Sequence, residues 1–565
     1  MLRPAALLLA LVTALLVAAA VFIYGELPRA GSPQSPVRFI GTNFPPLAHQ
    51  HDDAEGYGFS GAALLDADGD GRPDLFIGGG SGAHDQIAMQ TKAGWELRQV
   101  GDSVSNTYGV VAVDLNRDGH DDLVVTRENG TRLLLNNGRG DFTDATPDYV
   151  AAPVRDESVA LSLAAGDVNG DGWIDLYESR FVRAGDYKPG LYNDPERNKR
   201  NRLWLGLGVG EDGRPKFRDA TTESGVAGCC NTYASMLVDL DADGDLDLVT
   251  ANDAGPVEIF ENDGSGHFSA HDTAAFGVGF WMGLTAADYD NDGDIDLFFT
   301  NKGRNIPEWL IRGDRKDSQV FNGSYLLARN DGAFAFTDVT AAAGLKSWEF
   351  ARGAVWSDFD ADGLLDLALV GNDWRWPLFR WLPQPGRLFV QGPQGVFRDV
   401  AVAAGTANAH VGVAPLAGDL NLDGFPDLVL VNRKGPLRVL VNKGNDNHFL
   451  AVRLKTRDNA PAFGTRVEMR MKDGTHLTRE LTAGEGFLSD QGDVLLFGFG
   501  RRTQIESMRV YWSTGSYTRI DDSPLDRYIG FVEPSESSGG RNVMIKNPLP
   551  EWAARQKNSS RKMCP

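Results

Sequence analysis

The stretch Asp239–Leu248, DLDADGDLDL, sets aspartates at positions one, three and five, a glycine at six and another aspartate at nine. The apolar run ASMLV precedes it and LVT follows; both are too short for helices and read as strands, which makes the acidic segment a loop between adjacent strands. The pattern D-x-[DN]-x-D-G-x-x-D-L occurs seven times, starting at Asp66, Asp114, Asp167, Asp239, Asp288, Asp358 and Asp419, at intervals of 48, 53, 72, 49, 70 and 61 residues. Those intervals match a four-stranded propeller blade, with extra material in some units. Beyond several loops, segments such as LLLNNGRGDFTDAT and IFENDGSGHF supply a second strand pair around a glycine turn. The expected fold is all-β: a seven-bladed β-propeller over residues 31–447 and a small β-sandwich-like domain over 448–534. A signal anchor over 1–30 and a flexible basic tail over 535–565 complete the reading.

Alternating carboxylates with a glycine at the bend can wrap one hard cation in oxygen ligands, and a varied seventh residue fits a backbone carbonyl ligand. The candidate ligands are Asp66, Asp68, Asp70 and Asp74; Asp114, Asn116, Asp118 and Asp122; Asp167, Asn169, Asp171 and Asp175; and Asp239, Asp241, Asp243 and Asp247. The remaining three loops offer Asp288, Asp290, Asp292 and Asp296; Asp358, Asp360, Asp362 and Asp366; and Asp419, Asn421, Asp423 and Asp427. Calcium suits such a cage better than magnesium, because protein oxygens fill most positions. An EF-hand is excluded, since position twelve of the first loop is Ile77 rather than Glu. Up to seven Ca²⁺ ions are expected, and seven would offset +14 of the formal charge of −22.

That net charge argues against nucleic acid as a partner, because phosphate binding needs clustered Lys and Arg. At the N-terminus, Arg3 precedes an uncharged, mostly apolar run from Pro4 to Tyr24, about one bilayer crossing in length. The run reads as a membrane-spanning signal anchor with the bulk of the chain periplasmic or extracellular, or secreted if Ala18–Ala20 direct cleavage.

The acidic loops, with F-x-D-x-T segments at Phe142, Phe217 and Phe336, resemble the FG-GAP or VCBS repeats of integrin α-chain propellers. FGTRVEMRMKDG, GFLSDQ, LLFGFG and VYWSTG, between Phe463 and Gly515, resemble the ASPIC/UnbV domain of the cartilage acidic protein-like family. The likeness spans roughly residues 38 to 532; Phe499 and Ser513 depart from the family's usual Leu and Pro. It implies a calcium-loaded propeller placed outside the cytoplasm, without implying one activity.

Three connectors between second and third strands are long: 27 residues from Leu176 to Leu203, 29 from Leu297 to Leu326 and 20 from Leu367 to Arg387. They share one slot, so they are expected to gather on the face opposite the metals as a binding surface. Their basic and aromatic residues, including Trp374, Arg375 and Trp376, suit a protein, glycan or anionic ligand, while tryptophans capping blade edges are the plainer reading. Tyr108 and Tyr233, in the repeated segments NTYGVV and NTYASM, are expected at equivalent inner positions. Trp281, Arg352 and His410 begin other inner strands.

Cys229 and Cys230 fall at the same end, as a vicinal disulfide, a soft-metal site or inert thiols. No Ser/His/Asp motif, Walker loop or HExxH stretch is present, and the aspartates already have a role as ligands. The leading expectation is a membrane-anchored, calcium-dependent binding or adhesion propeller. The alternative is an extracytoplasmic enzyme, or a redox or metal-handling protein, that uses the central funnel with Cys229, Cys230, Arg352 and His410. A structural subunit of an envelope complex is a third reading.

Overall fold

In the repeat that contains Asp239, strand Asn231–Val238 pairs antiparallel with Asp247–Gly255 so that Val238 faces Asp247 directly across the acidic loop. Glu258–Asn262 and Phe268–Ala270 complete a four-stranded meander. Every residue of the first two strands is buried. Neighbouring sheets cover both faces, and for that reason the sequence shows continuous apolar runs rather than clean alternation.

The computed structural model describes residues 31–47, 57–80, 82–104, 106–151, 158–188, 192–194, 199–303, 312–347, 349–372, 385–460, 462–521, 523–534 and 544–545. The chain is all-β and propeller-like; α-helix among the described residues is confined to the single turns Asp148–Ala151 and Ala401–Ala404. The first strands of successive repeats are Ala62–Leu65, Thr107–Val113, Ser158–Gly166, Asn231–Val238, Gly279–Ala287, Ala351–Ser357 and Val411–Gly418. Each touches the next, and the last touches the first. The seventh sheet takes its outer strand from the start of the chain, where Phe39–Gly41 pairs antiparallel with Arg438–Asn442.

A recurrent side chain latches the sheets together. Near the end of the third strand, Asn136, Asn262, Asn330, Gln391 and Asn442 each donate an amide N–H to the second residue of the preceding acidic loop: Ala67, Val168, Leu240, Tyr289 and Phe359. Gln90 closes the circle on Leu420. The third sheet has Gly206 at this place and no room for more, since a Cβ there would lie 2.3 Å from the Ile174 carbonyl oxygen.

The C-terminal region forms two four-stranded sheets. One holds Val494–Gly500, His448–Lys455, Arg527–Val532 and Met544–Ile545; the other holds His476–Glu480, Arg466–Met471, Ile505–Tyr511 and Tyr517–Asp521. A shared core including Val452, Met469, Phe497, Met508, Val510 and Trp512 joins them as a sandwich. Met544 and Ile545, the two described residues of the expected tail over 535–565, pair with Phe531 and Gly530.

From this sandwich the segment Thr482–Gly492 reaches into the middle of the ring. Gly486 exchanges backbone hydrogen bonds with Leu284 at 2.7 and 2.9 Å, Asp490 accepts the Ala112 N–H at 2.7 Å and Gln491 accepts the Ala417 N–H at 2.9 Å. Ser489–Asp490 adds a short parallel strand beside Ala62 and Ala63. Phe487 and Leu488 are buried with Phe59, Tyr108, Tyr233, Met282 and Phe350 in one cluster. No helix among the described residues is long and apolar enough to cross a membrane, and the expected anchor over 1–30 lies outside those residues.

Candidate metal centres and the opposite face

All seven acidic loops share one backbone course. Position four is left-handed in each, with φ between 54° and 72° at Gly69, Arg117, Gly170, Ala242, Asn291, Ala361 and Leu422. The position-six glycines run from φ 83° to 104°, where a side chain would be strained. In every loop the position-six N–H donates to the position-one carboxylate, as Gly71 does to Asp66 at 2.9 Å and Gly363 to Asp358 at 2.8 Å. The loop is thereby wound around its own first aspartate.

The position-nine aspartate is the loop's base. Asp247 accepts the Leu240 N–H at 2.9 Å with one oxygen and the Asn262 N–H at 2.9 Å with the other, and the same pair of contacts recurs at Asp74, Asp122, Asp175, Asp296, Asp366 and Asp427. Each oxygen keeps a second lone pair, so stapling the loop and ligating a cation are compatible.

The loops divide by position three. Where it is Asp, oxygens converge: those of Asp66, Asp68 and Asp70 lie within 4.8 Å of one another, as do those of Asp239, Asp241 and Asp243, of Asp288, Asp290 and Asp296, and of Asp358, Asp360 and Asp366. In these four loops Asp66 Oδ1, Asp239 Oδ1, Asp288 Oδ1, Asp290 Oδ1 and Asp360 Oδ1 are buried without a hydrogen-bond donor. Where position three is Asn, the amides of Asn116, Asn169 and Asn421 donate to Asp118, Asp171 and Asp423. The position-one Oδ1 atoms of Asp114, Asp167 and Asp419 accept backbone N–H groups at 3.0–3.2 Å.

Burial lifts these carboxyls strongly. Asp66, Asp239 and Asp288 stand at about 6, Asp74 and Asp419 at about 7, Asp122 and Asp247 at about 8, and Asp296 at about 9. Desolvation is the first cause, and neighbouring loop carboxylates add to it. A bound divalent cation would reverse that cost, and the donor set of converging, orphaned carboxylate oxygens fits Ca²⁺.

The C-terminal sandwich covers this face. Arg453 reaches Asp66 Oδ2 at 3.5 Å and Tyr528 donates to Asp419 Oδ2 at 2.6 Å. Glu480 accepts the Asp239 N–H at 3.0 Å, while Arg466 donates to the Gly293 carbonyl at 2.7 Å and Arg502 to that of Asp362 at 3.3 Å. Between sandwich and ring lies a cavity of about 120 Å³ lined by Asp288, Asp358, Arg479, Glu480, Glu485 and Gln491 among others.

At the opposite end of the ring the described inner-strand residues form a packed cluster. Tyr108, Tyr233, Trp281 and Arg352 are all buried. Arg352 donates to the Gly412 carbonyl at 3.0 Å and lies over the rings of Phe59 and Phe350, while Tyr57 caps the cluster and hydrogen-bonds the Val182 carbonyl. Among the described residues, Phe487 from one side and Tyr57 and Phe59 from the other pack into the ring centre, where a funnel shared by Cys229, Cys230, Arg352 and His410 was expected. His410 is half-buried at the rim, against Gly435. Trp281 packs edge-on to Phe299 in the core between the fourth and fifth sheets. Trp374, Arg375 and Trp376 lie outside the described residues.

The described parts of two long connectors meet on this face. Tyr192 and Asn193 of the third repeat donate backbone N–H groups to the Asp314 carboxylate of the fifth, and the Asn193 amide reaches the Asp314 carbonyl and Gln319 Oε1, both at 3.0 Å. Lys188, Arg200, Arg312 and Lys316 are exposed there. Lys302 turns inward to Asp253 at 2.6 Å and Tyr187 at 3.0 Å, with the rings of Tyr187, Tyr233 and Phe280 about its ammonium. Cys229 and Cys230 form a disulfide at the edge of the same face.

Comparison with known proteins gives two family matches. The model described as FG-GAP-like repeat matches residues 66–125, 114–178, 239–299 and 358–430, which include every acidic loop, and the model described as ASPIC and UnbV matches 455–538. Cartilage acidic protein 1 of Mus musculus is 26% identical over 483 residues, covering 72% of this chain and 70% of that protein. The Homo sapiens protein of the same name is 26% identical, covering 72% and 69%. Among solved structures, YCF48 bound to D1 peptide overlaps 73% of this chain and 98% of that chain at 10% identity, with a TM-score of 0.41. A chain whose seven acidic loops all fall in FG-GAP-like matches, followed by an ASPIC/UnbV match and homologous to cartilage acidic protein 1 along most of its length, is an FG-GAP-repeat protein with a C-terminal ASPIC/UnbV domain.

Proposed function

We propose that this chain is a calcium-loaded, seven-bladed recognition propeller that works outside the cytoplasm. It would bind an anionic or glycan-bearing partner on the face where its long connectors gather. Residues 4–24 direct the chain to the membrane and hold it there as an anchor.

The observation that carries the calcium part is the set of buried, donor-free carboxylate oxygens in the four loops with Asp at position three. Buried charge without a partner is expensive, and one cation per loop relieves it. In that loaded state positions one, three, five and nine supply side-chain oxygens, and position seven its carbonyl. The metal's part is to fix the loops and neutralise their charge.

The binding face follows by elimination of surface. The sandwich occupies the loop side and the plug segment fills the centre, which leaves the connector face with Lys188, Arg200, Arg312 and Lys316 exposed in an otherwise acidic protein. Arginine and lysine on a rim favour carboxylate, sulfate or phosphate groups.

Metal analysis of the purified protein, paired with a glycan array in calcium buffer, tests both parts. Several calcium ions per chain are expected, with array signal weighted to acidic glycans and reduced in a variant carrying Lys188→Glu, Arg200→Glu, Arg312→Glu and Lys316→Glu. Metal-free protein with an undiminished melting temperature would overturn the calcium part. Array binding untouched by the charge reversals would overturn the choice of face.

A further inference from the structure

The Cys229–Cys230 disulfide joins neighbours in sequence. A disulfide stabilises chiefly by closing a loop in the unfolded chain, and this one closes none. The fold does not need it to start the strand either: the matching segment of the second repeat, Asn106–Thr107–Tyr108, is preceded by Val104 and Ser105 and enters the same kind of inner strand. A staple is therefore the wrong account of the bond.

Its surroundings are shaped for it. Cys229 is exposed and Cys230 is buried, 4% accessible. Cys230 rests against Gly255, where an added Cβ would lie 2.8 Å from its sulfur. The Cys229 N–H donates to Glu258 Oε1 at 3.1 Å, and Glu258 is held in place by Thr250 and Asn252.

Gly255 also sits at a special join. It ends strand Asp247–Gly255, which pairs past its own sheet with Gly279–Ala287 of the fifth repeat through Asp253–Phe280 and Gly255–Gly279. Among the described residues this is the one place where two repeats fuse into an eight-stranded sheet. Asn231, next to the pair, accepts N–H groups from Val182 and Lys199 at 3.2 and 3.4 Å and so ties in the third repeat's connector.

We propose that Cys229–Cys230 is a reversible thiol–disulfide exchange site whose reductant is a dithiol. The attacking thiolate bonds to the exposed Cys229 sulfur and the disulfide breaks; Cys230 leaves as the thiolate and takes a proton. The reductant's second thiol then attacks its own sulfur in the mixed disulfide, becomes a cyclic disulfide and releases Cys229, which is protonated in turn. Two electrons and two protons pass to the protein, and the reverse steps return them. Reduction frees the two sulfurs to separate at the seat formed by Gly255, and so loosens the join between the fourth and fifth repeats and the connector above it.

The test uses the full chain with Cys564→Ser, so that one cysteine pair remains. Folded protein is treated with dithiothreitol in native buffer, alkylated and mapped by mass spectrometry, with melting temperature and hydrogen exchange measured in parallel. Expected are two alkylated thiols on one peptide, an unchanged melting temperature, faster exchange at residues 253–255 and 279–281, and recovery on adding oxidised dithiothreitol. Reduction that requires denaturant, or that abolishes cooperative melting, would overturn the proposal in favour of a structural bond.

The direction of attack has its own measurement. Cys230→Ser, which keeps exposed Cys229, is expected to form a mixed disulfide with oxidised glutathione at least about tenfold faster than Cys229→Ser, which keeps buried Cys230. Equal rates would overturn the assignment of Cys229 as the attacked sulfur. If either variant fails to fold, native-buffer reduction of the intact pair still decides between exchange site and structural bond.

Discussion

Replacing Asn330 by Ala removes one link from the chain of amides that joins the sheets. Asn330 is fully buried; its amide donates to the Leu240 carbonyl at 2.7 Å and to the Ile295 carbonyl at 3.2 Å, and its Oδ1 accepts the Gly332 N–H at 3.1 Å. The truncation leaves two carbonyls and one N–H without that partner, in a site where Leu240 and Ile295 are themselves buried. A stranded buried polar group costs about 1–3 kcal/mol, so a loss of roughly 3–5 kcal/mol is expected once partial relaxation is allowed for. Asn330→Asp should be worse, because a carboxylate would face both carbonyls. Urea denaturation measures the loss, and hydrogen exchange at the Leu240–Gly244 amides localises it to the fourth-repeat loop. A midpoint shift equivalent to less than about 1 kcal/mol would refute the reasoning and assign these amides a cosmetic role.

Chelation of the purified protein should lower its melting temperature, and Asp290→Asn should convert the fifth loop to the amide-paired arrangement of Asn116, with calcium affinity falling about tenfold by titration. Phe487→Ala empties the ring centre and is expected to cost about 3–5 kcal/mol in denaturant unfolding; a neutral result would mean the plug does not carry the core. Glu485, lining the interdomain cavity, is raised by burial to about 8. The folded protein thus holds this proton more tightly than the unfolded chain, so the contribution is complete below the ordinary glutamate range and is lost as pH rises through about 8. Glu485→Gln should flatten the fall in stability between pH 5 and pH 9 by an amount on the order of 3–5 kcal/mol, and parallel pH profiles for the two proteins would count against it.

The repeat was plain in the primary structure because seven copies of one loop must each solve the same problem of bending around carboxylates. The left-handed turn at position four is less legible: Arg117, Ala242 and Leu422 take it although nothing in their side chains favours it, since the loop's hydrogen bonds to position one impose it. The difference between Asp68 and Asn116 at position three looked like a neutral variation, yet it decides which loops gather unpartnered oxygens. Closure by Phe39–Gly41 could not be read, because an isolated three-residue strand has no periodicity. The filled centre was missed for a different reason. Tyr108, Tyr233 and Arg352 lie on first strands of their repeats, but whether such positions line a channel or a core depends on Phe487 and Leu488, which come from a region read as a separate small domain.

The strand that shuts the ring is made near the beginning of the chain, and the segment that fills its centre is made near the end. During synthesis, therefore, no length of polypeptide that ends before Phe487 possesses both a closed circle and a packed middle. Some four hundred residues must emerge after Phe39–Gly41 before that strand finds its partner, which predicts slow, late consolidation and a long exposure of inner-strand edges. The change of sheet between Arg438–Asn442 and His448–Lys455 is in this sense a division of architecture but not of inheritance. Exchanging the C-terminal sandwich for that of a distant relative would remove part of the propeller's own interior, so the two regions are expected to change together over evolutionary time.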